Sequence, residues 1–249
     1  MARRVLVALG NPDHARALVE AGIRLTGTGR PSELLLVRMI PTARAPEFRS
    51  GLRDEEGQDR PVEAMNALAH QAAQAGVTAR AIAFLSDDVA QDLADIAATQ
   101  RCEIVLVGWH RASLDHQAVR ALVHRVFMLA PCDVIVYVDR PGEGVPPVAG
   151  RPVLVAFASD EDQRVLEIGQ RLADSLQTAV LRIGGSGSSP GGRLLDAAVR
   201  ESAGATVAVA GVGSKGTKED DFGQLATAFA AAAACPVLVV RKHPGITPA

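Results

Sequence analysis

The sequence predicts an α/β protein in which each of two successive halves forms a parallel sheet. Two continuously apolar runs, Ile104 to Val107 and Val134 to Val138, stand on either side of a helix-like segment. Strands that are buried on both faces have this composition, and an intervening helix joins them as parallel neighbours. The same order of strand, loop, helix and strand returns between Thr206 and Val240. The chain is therefore predicted to contain two related units.

The two copies of this unit align without a gap. Gly108 and Gly211, which end the first strands, lie 103 residues apart, and so do Cys132 and Cys235, which precede the second strands. A fixed spacing of this kind indicates an internal repeat. In a chain of 249 residues, which is long enough for one large or two small domains, the repeat favours two.

Composition excludes several functional classes. With 48% hydrophobic residues the chain can bury a sizeable core, and its net charge of −2 offers no basic field for nucleic acid. No apolar run reaches the roughly 18 residues that cross a bilayer, and the N-terminus lacks the apolar core of a signal peptide. We therefore expect a soluble, cytoplasmic chain that does not bind nucleic acid.

The three cysteines predict neither a metal site nor a catalytic thiol. Cys102, Cys132 and Cys235 each adjoin a predicted strand, and their spacing is not that of metal ligands. We expect buried, inert thiols.

The first half is predicted, in order, as β-α-β-α-β-α-β-α-β. Before the central unit, the predicted elements are a strand at Val5–Leu9, a helix from near Asp13, a strand at Ser32–Ile40, a helix at Pro61–Ala75, an outer strand at Val77–Leu85 and a helix ending near Thr99. The outer strand is predicted from alternation, and Ser86, Asp87 and Asp88 are typical capping residues of the helix that follows it. The charged, aperiodic stretch from Arg44 to Arg60 predicts a mobile surface loop.

The second half is a shortened copy of the first. Residues 1–140 are assigned to the first domain, 141–152 to a linker rich in proline and glycine, and 153–243 to the second domain. Val153 to Phe157 matches the first strand, but the second half is 41 residues shorter between its second and fourth strands. We therefore expect it to lack the long loop, one helix and the outer strand.

Both halves resemble the universal stress protein domain. The motifs that carry the resemblance are Cys102 to His110, Ala130 to Val136 and, in the second half, Ala234 to Val240. The resemblance implies a Rossmann-like fold with a five-stranded parallel sheet in the order 3-2-1-4-5. It also implies pairing of fifth strands, so we expect Asp133–Val138 and Pro236–Arg241, both apolar edges, to join the halves as an intramolecular pseudo-dimer. A homodimer is the alternative.

A narrower resemblance concerns membrane transport. Val5 to Pro12, Gly108 to His110 and Val138 to Arg140 look like the cytoplasmic tandem stress-protein regions that follow the membrane part of cation/proton antiporters. This resemblance implies that the membrane part of an antiporter is a partner. The chain would then be the cytoplasmic portion of an inner-membrane transporter, or bound to one.

A ligand site is expected where the winding of the first sheet reverses. In an open parallel sheet, ligands bind beyond the carboxyl ends of the strands at this point, here between the first and fourth strands. Helix N-termini also point there and favour an anion. A nucleotide phosphate is the natural candidate. The residues placed around this crevice are Leu9, Gly10, Asn11, Arg38, Gly108, Trp109, His110 and Arg111.

The crevice departs from the pattern of the ATP-binding family members that it resembles. Those members carry an aspartate where this chain has Gly10, and a second loop glycine where it has Arg111. An arginine fills space that a glycine leaves to phosphate, so ordinary ATP binding is not expected. Arginine can instead form charge-assisted bonds to phosphate, which permits a differently held nucleotide such as cyclic di-AMP.

The second half supplies weaker candidates for the same chemistry. Each half carries an arginine near the end of its second strand, and a glycine-rich loop follows the fourth strand of the second half. The candidates are Arg182, Gly211, Gly213, Ser214 and Lys215. A merely flexible, solvated loop is the alternative. In the first half, Trp109 could equally stack on a base or cap the edge of the sheet.

Three functions compete at this point. The first is a non-enzymatic regulatory module that binds an adenine nucleotide, requires no cofactor and controls a cation/proton antiporter. The second is a ligand-free protein-interaction scaffold, and the third is a stand-alone ATP-binding stress protein. A nucleophile, base and orienting acid occur close together in one loop, but residues so near in sequence seldom reach the geometry of a triad. These residues are His110, Ser113, Asp115 and His116.

Overall fold

The computed structural model describes residues 3–10, 15–27, 31–42, 60–109, 117–139, 150–156, 162–184, 192–211 and 224–243. All structural statements below concern these residues. The predicted mobile loop, apart from Arg60, and most of the predicted linker lie outside them.

The first half contains the predicted alternation of strands and helices. Its strands are β1 (Arg3–Leu9), β2 (Ser32–Pro41), β3 (Thr78–Ser86), β4 (Ile104–Trp109) and β5 (Asp133–Val138), and its helices are α1 (Arg16–Thr26), α2 (Arg60–Gln74), α3 (Val89–Thr99) and α4 (Gln117–Leu129). The predicted helix cap is confirmed, because the carboxylate of Asp88 accepts a hydrogen bond of 3.2 Å from the backbone N–H of Gln91.

The second half is shorter, as the sequence predicts. Within the described residues its strands are β6 (Val153–Ala156), β7 (Val180–Ile183), β8 (Val207–Gly211) and β9 (Val237–Arg241), and its helices are α5 (Gln163–Leu176), α6 (Gly192–Ser202) and α7 (Gln224–Ala232). The division into two domains at residues 140 and 153 stays a prediction.

All nine strands form one sheet in the order β3-β2-β1-β4-β5-β9-β8-β6-β7. Neighbouring strands are parallel except at the centre, where β5 and β9 pair antiparallel, with Val136 opposite Val239. The predicted order 3-2-1-4-5 and the predicted pairing of the two apolar edges are both confirmed. Because the central pairing joins two parallel sheets, β3 and β7 become the outer edges of the whole sheet.

Helices cover both faces of the sheet and enclose two cores. Helices α1, α2 and α5 pack on one face, and α3, α4, α6 and α7 pack on the other. Each core includes residues of both halves; Leu106 and Val209, for example, belong to the core under α1. The apolar strands are therefore buried on both faces, which explains their continuous hydrophobic sequence. No described helix has the length and apolarity to span a membrane.

Two glycines let helices approach the sheet at equivalent places in the two halves. A methyl group added at Gly22 of α1 would lie 2.8 Å from Val7 of β1, and one added at Gly169 of α5 would meet Val155 of β6. Both glycines are buried within helices, where alanine would otherwise be the better helix former. The close packing of helix on strand therefore accounts for these glycines.

We expect Gly169→Ala to destabilise the protein by about 1–3 kcal/mol, because overpacking a filled core forces the strand and helix apart. Chemical denaturation measures this change. Gly204→Ala is the matched control, since the nearest atom to a methyl group there, the carbonyl oxygen of Glu201, is 3.7 Å away. Equal stability of the two variants would contradict the packing argument.

Candidate functional site

The predicted crevice lies where the order of the first sheet reverses. Strand β1 has β2 on one side and β4 on the other, and all three are parallel. The pairing of Ala8 with Val107 places the residues that follow them, Leu9 and Gly108, at the same carboxyl edge. Helix α1 begins from this edge, because it carries the chain back from the end of β1. The geometry is that of ligand crevices in open α/β sheets.

Arg38 lies at this edge as predicted. It is opposite Leu9, the last residue of β1, in the pairing of β1 with β2. Alternation along β2 places its side chain on the face covered by α1, since Leu36 belongs to the core on that face. Arg38 is partly exposed. A guanidinium can therefore reach the solvent side of the crevice beside the end of β1.

Leu9 and Gly10 lie at the carboxyl end of β1, beside Arg38. Gly10 is exposed, and among the described residues no atom lies within 4 Å of the position that a side chain would take. Leu9 is only 3% exposed and packs in the core under α1, so it can offer a ligand only its backbone. The crevice is open where the ATP-binding family members carry an aspartate.

Gly108 has a packing role that the sequence did not reveal. A methyl group there would lie 2.9 Å from Leu18 of α1, and one at Gly211 would lie 2.9 Å from Val165 of α5. The glycine at the end of each fourth strand therefore lets the first helix of its half rest on the sheet. The close packing of helix on strand therefore explains why both halves have a glycine at this position, and a bound phosphate is not needed to explain it.

Trp109 is a core residue. Its side chain is 4% exposed and packs among the residues under α4, which include Val123 and Phe127. Because it points to the face opposite α1, its ring is turned away from the side of the sheet that carries Arg38. Of the two interpretations of this tryptophan, the structure supports capping of the sheet.

Arg182 does not occupy the position of Arg38, contrary to the sequence alignment. It pairs with Val155, the third residue of β6, whereas Arg38 pairs with the last residue of β1. In the strand register Arg182 stands two residues before the position that matches Arg38, and Gly184 takes that position. Arg182 is exposed on the edge strand β7. The expected symmetry of the two arginines is therefore wrong.

The remaining candidate ligand residues lie outside the described residues, as do Ser113, Asp115 and His116 of the same loop. These candidates are Asn11, His110, Arg111, Gly213, Ser214 and Lys215.

The thiols behave as predicted. All three cysteines are buried and none forms a disulfide bond, and burial raises the pKa of Cys102 to about 11 and that of Cys132 to about 12. Such thiols are protonated at neutral pH and are poor nucleophiles. Within the described ranges no group of histidine, cysteine and acidic residues has the makings of a metal site.

A charged cluster at the opposite edge of the sheet was not predicted. Glu103, just before β4, accepts hydrogen bonds of 2.8 Å from Arg164, 2.9 Å from Arg171 and 3.0 Å from Arg3. Arg164 also binds Asp133, whose side chain is 1% exposed. Because Arg164 and Arg171 belong to α5, this cluster ties the second half to the first. The sequence carried one indication of this cluster: Glu103 directly precedes β4 and Asp133 is the first residue of β5, so both acidic residues stand at the start of buried strands.

The cluster fixes the ionisation of Glu103. Burial alone would raise its pKa, but hydrogen bonds from Arg164 and Arg171, with their positive charges, lower the pKa of this carboxyl to about 2. The pKa of Arg164 is raised above its ordinary value despite burial, because Glu103 and Asp133 stabilise the charged guanidinium. Since these groups satisfy one another, the cluster is a structural element and offers no open site for an anion.

Comparison with known proteins agrees with this architecture. The sequence profile of the universal stress protein family matches residues 1–137. The crystal structure of a universal stress protein from Archaeoglobus fulgidus DSM 4304 is similar over 97% of each chain, with 15% identity and a TM-score of 0.63. The cytoplasmic domain of a prokaryotic cation chloride cotransporter is similar over 97% of this chain and 96% of its own, with 9% identity and a TM-score of 0.61.

No curated protein sequence matches this chain. The two structural likenesses, at these identities, concern the fold alone. The family match, however, covers more than half of the 249 residues, and the sheet has the strand order that the family resemblance implied. This chain belongs to the universal stress protein family.

Proposed function

We propose that this chain is a non-enzymatic regulatory module that binds an adenine nucleotide at the carboxyl ends of β1 and β4. A cyclic dinucleotide such as cyclic di-AMP suits a site that lacks the usual ATP motif. The bound nucleotide controls a cation/proton antiporter to which the chain is attached or bound. No cofactor is required for this function.

One observation carries the proposal, namely the position of Arg38 beside open space at Gly10. A guanidinium level with the end of β1, next to a helix that starts from the same edge, provides charge-assisted donors for a phosphate. The empty volume at Gly10 leaves room for the ribose or phosphate to approach the backbone of β1. These features favour an anionic ligand with a sugar over a neutral one.

The chemistry of the crevice supports binding without catalysis. Its described residues, Leu9, Gly10, Arg38 and Gly108, include no carboxylate, hydroxyl or thiol. Phosphoryl transfer needs groups that hold a metal ion and position the attacking oxygen. A site of backbone groups and arginine can instead bind a nucleotide and release it unchanged.

The transporter part of the proposal is supported by two resemblances. The antiporter-like motifs Val5 to Pro12 and Val138 to Arg140 suggest the partner. The similar fold of a cotransporter's cytoplasmic domain, over nearly the full length of both chains, is an example of this architecture beside a membrane transporter. The test is to measure cation flux in vesicles that contain the antiporter of the same cell, with and without this chain and the nucleotide. Unchanged flux would contradict the regulatory role.

Arg38→Ala is expected to weaken nucleotide binding roughly ten- to a hundredfold, because a hydrogen bond to a charged group contributes about 1.5–3 kcal/mol. A thermal-shift screen with ATP, cyclic AMP and cyclic di-AMP identifies the best ligand, since a ligand that binds only the native state raises its stability. Isothermal titration calorimetry of that ligand then compares the variant with the parent.

Arg182→Ala is the matched control. It also removes an arginine side chain, but from β7 of the second half. There Arg182 pairs with Val155, so it does not lie at the level that Arg38 occupies in the first half. Binding by Arg38→Ala as tight as that of the parent, with unchanged melting temperature, would reject the first-half crevice. If no nucleotide raises the melting temperature of the parent, the proposal fails and the ligand-free scaffold becomes the better interpretation.

A further inference from the structure

Strand β3 leaves one long edge of the sheet open. It pairs with β2 at nine consecutive positions, from Thr78 to Ser86, and no other strand of the described residues pairs with it. Most of its residues are exposed, including Ile82 at 39% and Leu85 at 45%. An open row of backbone donors and acceptors next to apolar side chains is a template for pairing with another strand.

The usual protections of an edge strand are absent from β3. It contains no proline, and its continuous pairing with β2 leaves no bulge. Its one charged residue, Arg80, is bound within the chain, to the carboxylate of Glu33 and, at 3.0 Å, to the side-chain oxygen of Gln100. The positive charge that could repel another strand is therefore neutralised.

The sequence of β3 complements itself in the antiparallel direction. Ile82 is the middle residue of the strand, so full overlap of two copies places Ile82 opposite Ile82 and Arg80 opposite Phe84. Alanines then face alanines at the positions on either side of the centre. No like charges meet, and the central pair is apolar, which is the favourable cross-strand arrangement.

We propose that two copies of this chain associate through β3, antiparallel and centred on Ile82, and so join their nine-stranded sheets into one. The other outer edge is less suited to this role. Strand β7 has four residues, and one of them is the exposed Arg182. A second copy of β3 is the partner proposed, because in this register it sets Ile82 against Ile82, alanine against alanine and Arg80 against Phe84, with no like charges opposed. This interface is independent of the nucleotide proposal, since it lies at the outer edge of the sheet rather than in the β1–β4 crevice.

Ile82→Lys tests the interface directly. In the proposed register it sets two ammonium groups opposite each other at the centre, so the dimer dissociation constant should rise more than about tenfold. Sedimentation equilibrium of the parent should give a mass of twice the 26.0 kDa chain, and the variant should give the chain mass. Leu181→Lys is the matched control, because Leu181 is 36% exposed on the opposite edge strand.

A second variant tests the register. Directly opposed residues of antiparallel strands have Cβ atoms about 4.5–5.5 Å apart, close to the separation that a disulfide needs. Ile82→Cys should therefore form an intermolecular disulfide under mild oxidation, whereas Leu181→Cys should not. The three native cysteines are buried, so they do not compete for this reaction.

Each outcome decides the matter. A dimer that Ile82→Lys dissociates, that Leu181→Lys leaves intact and that Ile82→Cys cross-links is the expected result. A parent that is monomeric at all concentrations overturns the proposal, as does a dimer that survives Ile82→Lys. A dimer that dissociates on Ile82→Lys but is not cross-linked through Ile82→Cys overturns the proposed register.

Discussion

Replacing Arg164 by methionine is expected to lower the free energy of unfolding by about 3–5 kcal/mol. Arg164 binds Asp133, whose carboxylate is 1% exposed, and donates a hydrogen bond of 2.8 Å to Glu103. Methionine fills much of the same volume but removes the cation, so Asp133 keeps a buried charge without its counterion. The backbone N–H of His243, which donates to Asp133 at 2.9 Å, cannot replace a positive charge.

The measurement is urea denaturation of the full chain at pH 7. Arg125→Met is the matched control, because it makes the same change in a pair with Asp88 in which both side chains are largely exposed. Exposed pairs contribute little, so this control should leave stability nearly unchanged. The double variant Arg164→Met with Asp133→Asn should recover part of the loss. Similar stability of Arg164→Met and the control would show that the buried charge is not the cause.

The second large effect is loss of stability in acid. The pKa of Glu103 is about 2 in the folded protein against an ordinary value of 4.5, because Arg164 and Arg171 stabilise its charged form. A lowered pKa contributes stability that is fully present above pH 4.5 and is lost as the pH falls towards 2. A shift of this size corresponds to up to about 3 kcal/mol for this one group. We expect the free energy of unfolding to fall by that order across this range.

Glu103→Gln isolates this contribution. The variant should be less stable than the parent at pH 7, and the difference between them should shrink towards zero as the pH approaches 2. Glu167→Gln removes another carboxylate that binds Arg164, at 3.1 Å; its exposure of 33% is close to the 30% of Glu103, but Glu103 accepts hydrogen bonds from three arginines. Glu167→Gln should cost at most about 1 kcal/mol. A difference between parent and Glu103→Gln that is independent of pH would contradict the assignment.

Most of the fold could be predicted from the sequence. The apolar strands β1, β4, β5, β8 and β9 were recognisable because burial on both faces demands continuous hydrophobic residues. The shortening of the second copy correctly predicted that, among the described residues, the second half has no counterpart of the outer strand β3. Burial of the cysteines also followed, since each adjoins a buried strand.

The candidate site was predicted less completely, because its composition depends on which face each side chain takes. Gly108 and Trp109 are neighbours in sequence, yet alternation directs them to opposite faces of β4, one under α1 and the other into the core under α4. A residue at a strand end can therefore be a packing residue although it adjoins the crevice. Arg182 was misplaced for a related reason, since a two-residue difference in strand register cannot be seen in an alignment of short apolar runs.

The sequence by itself determined the alternation of strands and helices, because hydrophobic periodicity and chain connectivity dictate it, whereas the strand order and the pairing of the two edges followed from the resemblance to the universal stress protein domain. Only the tertiary structure decided the long-range electrostatics. Glu103 contacts Arg3 within the first half, and it contacts Arg164 and Arg171 because the antiparallel pairing of β5 with β9 brings α5 against the first half. Such contacts join residues up to 100 positions apart, and charged residues carry no periodic signal that would indicate their partners.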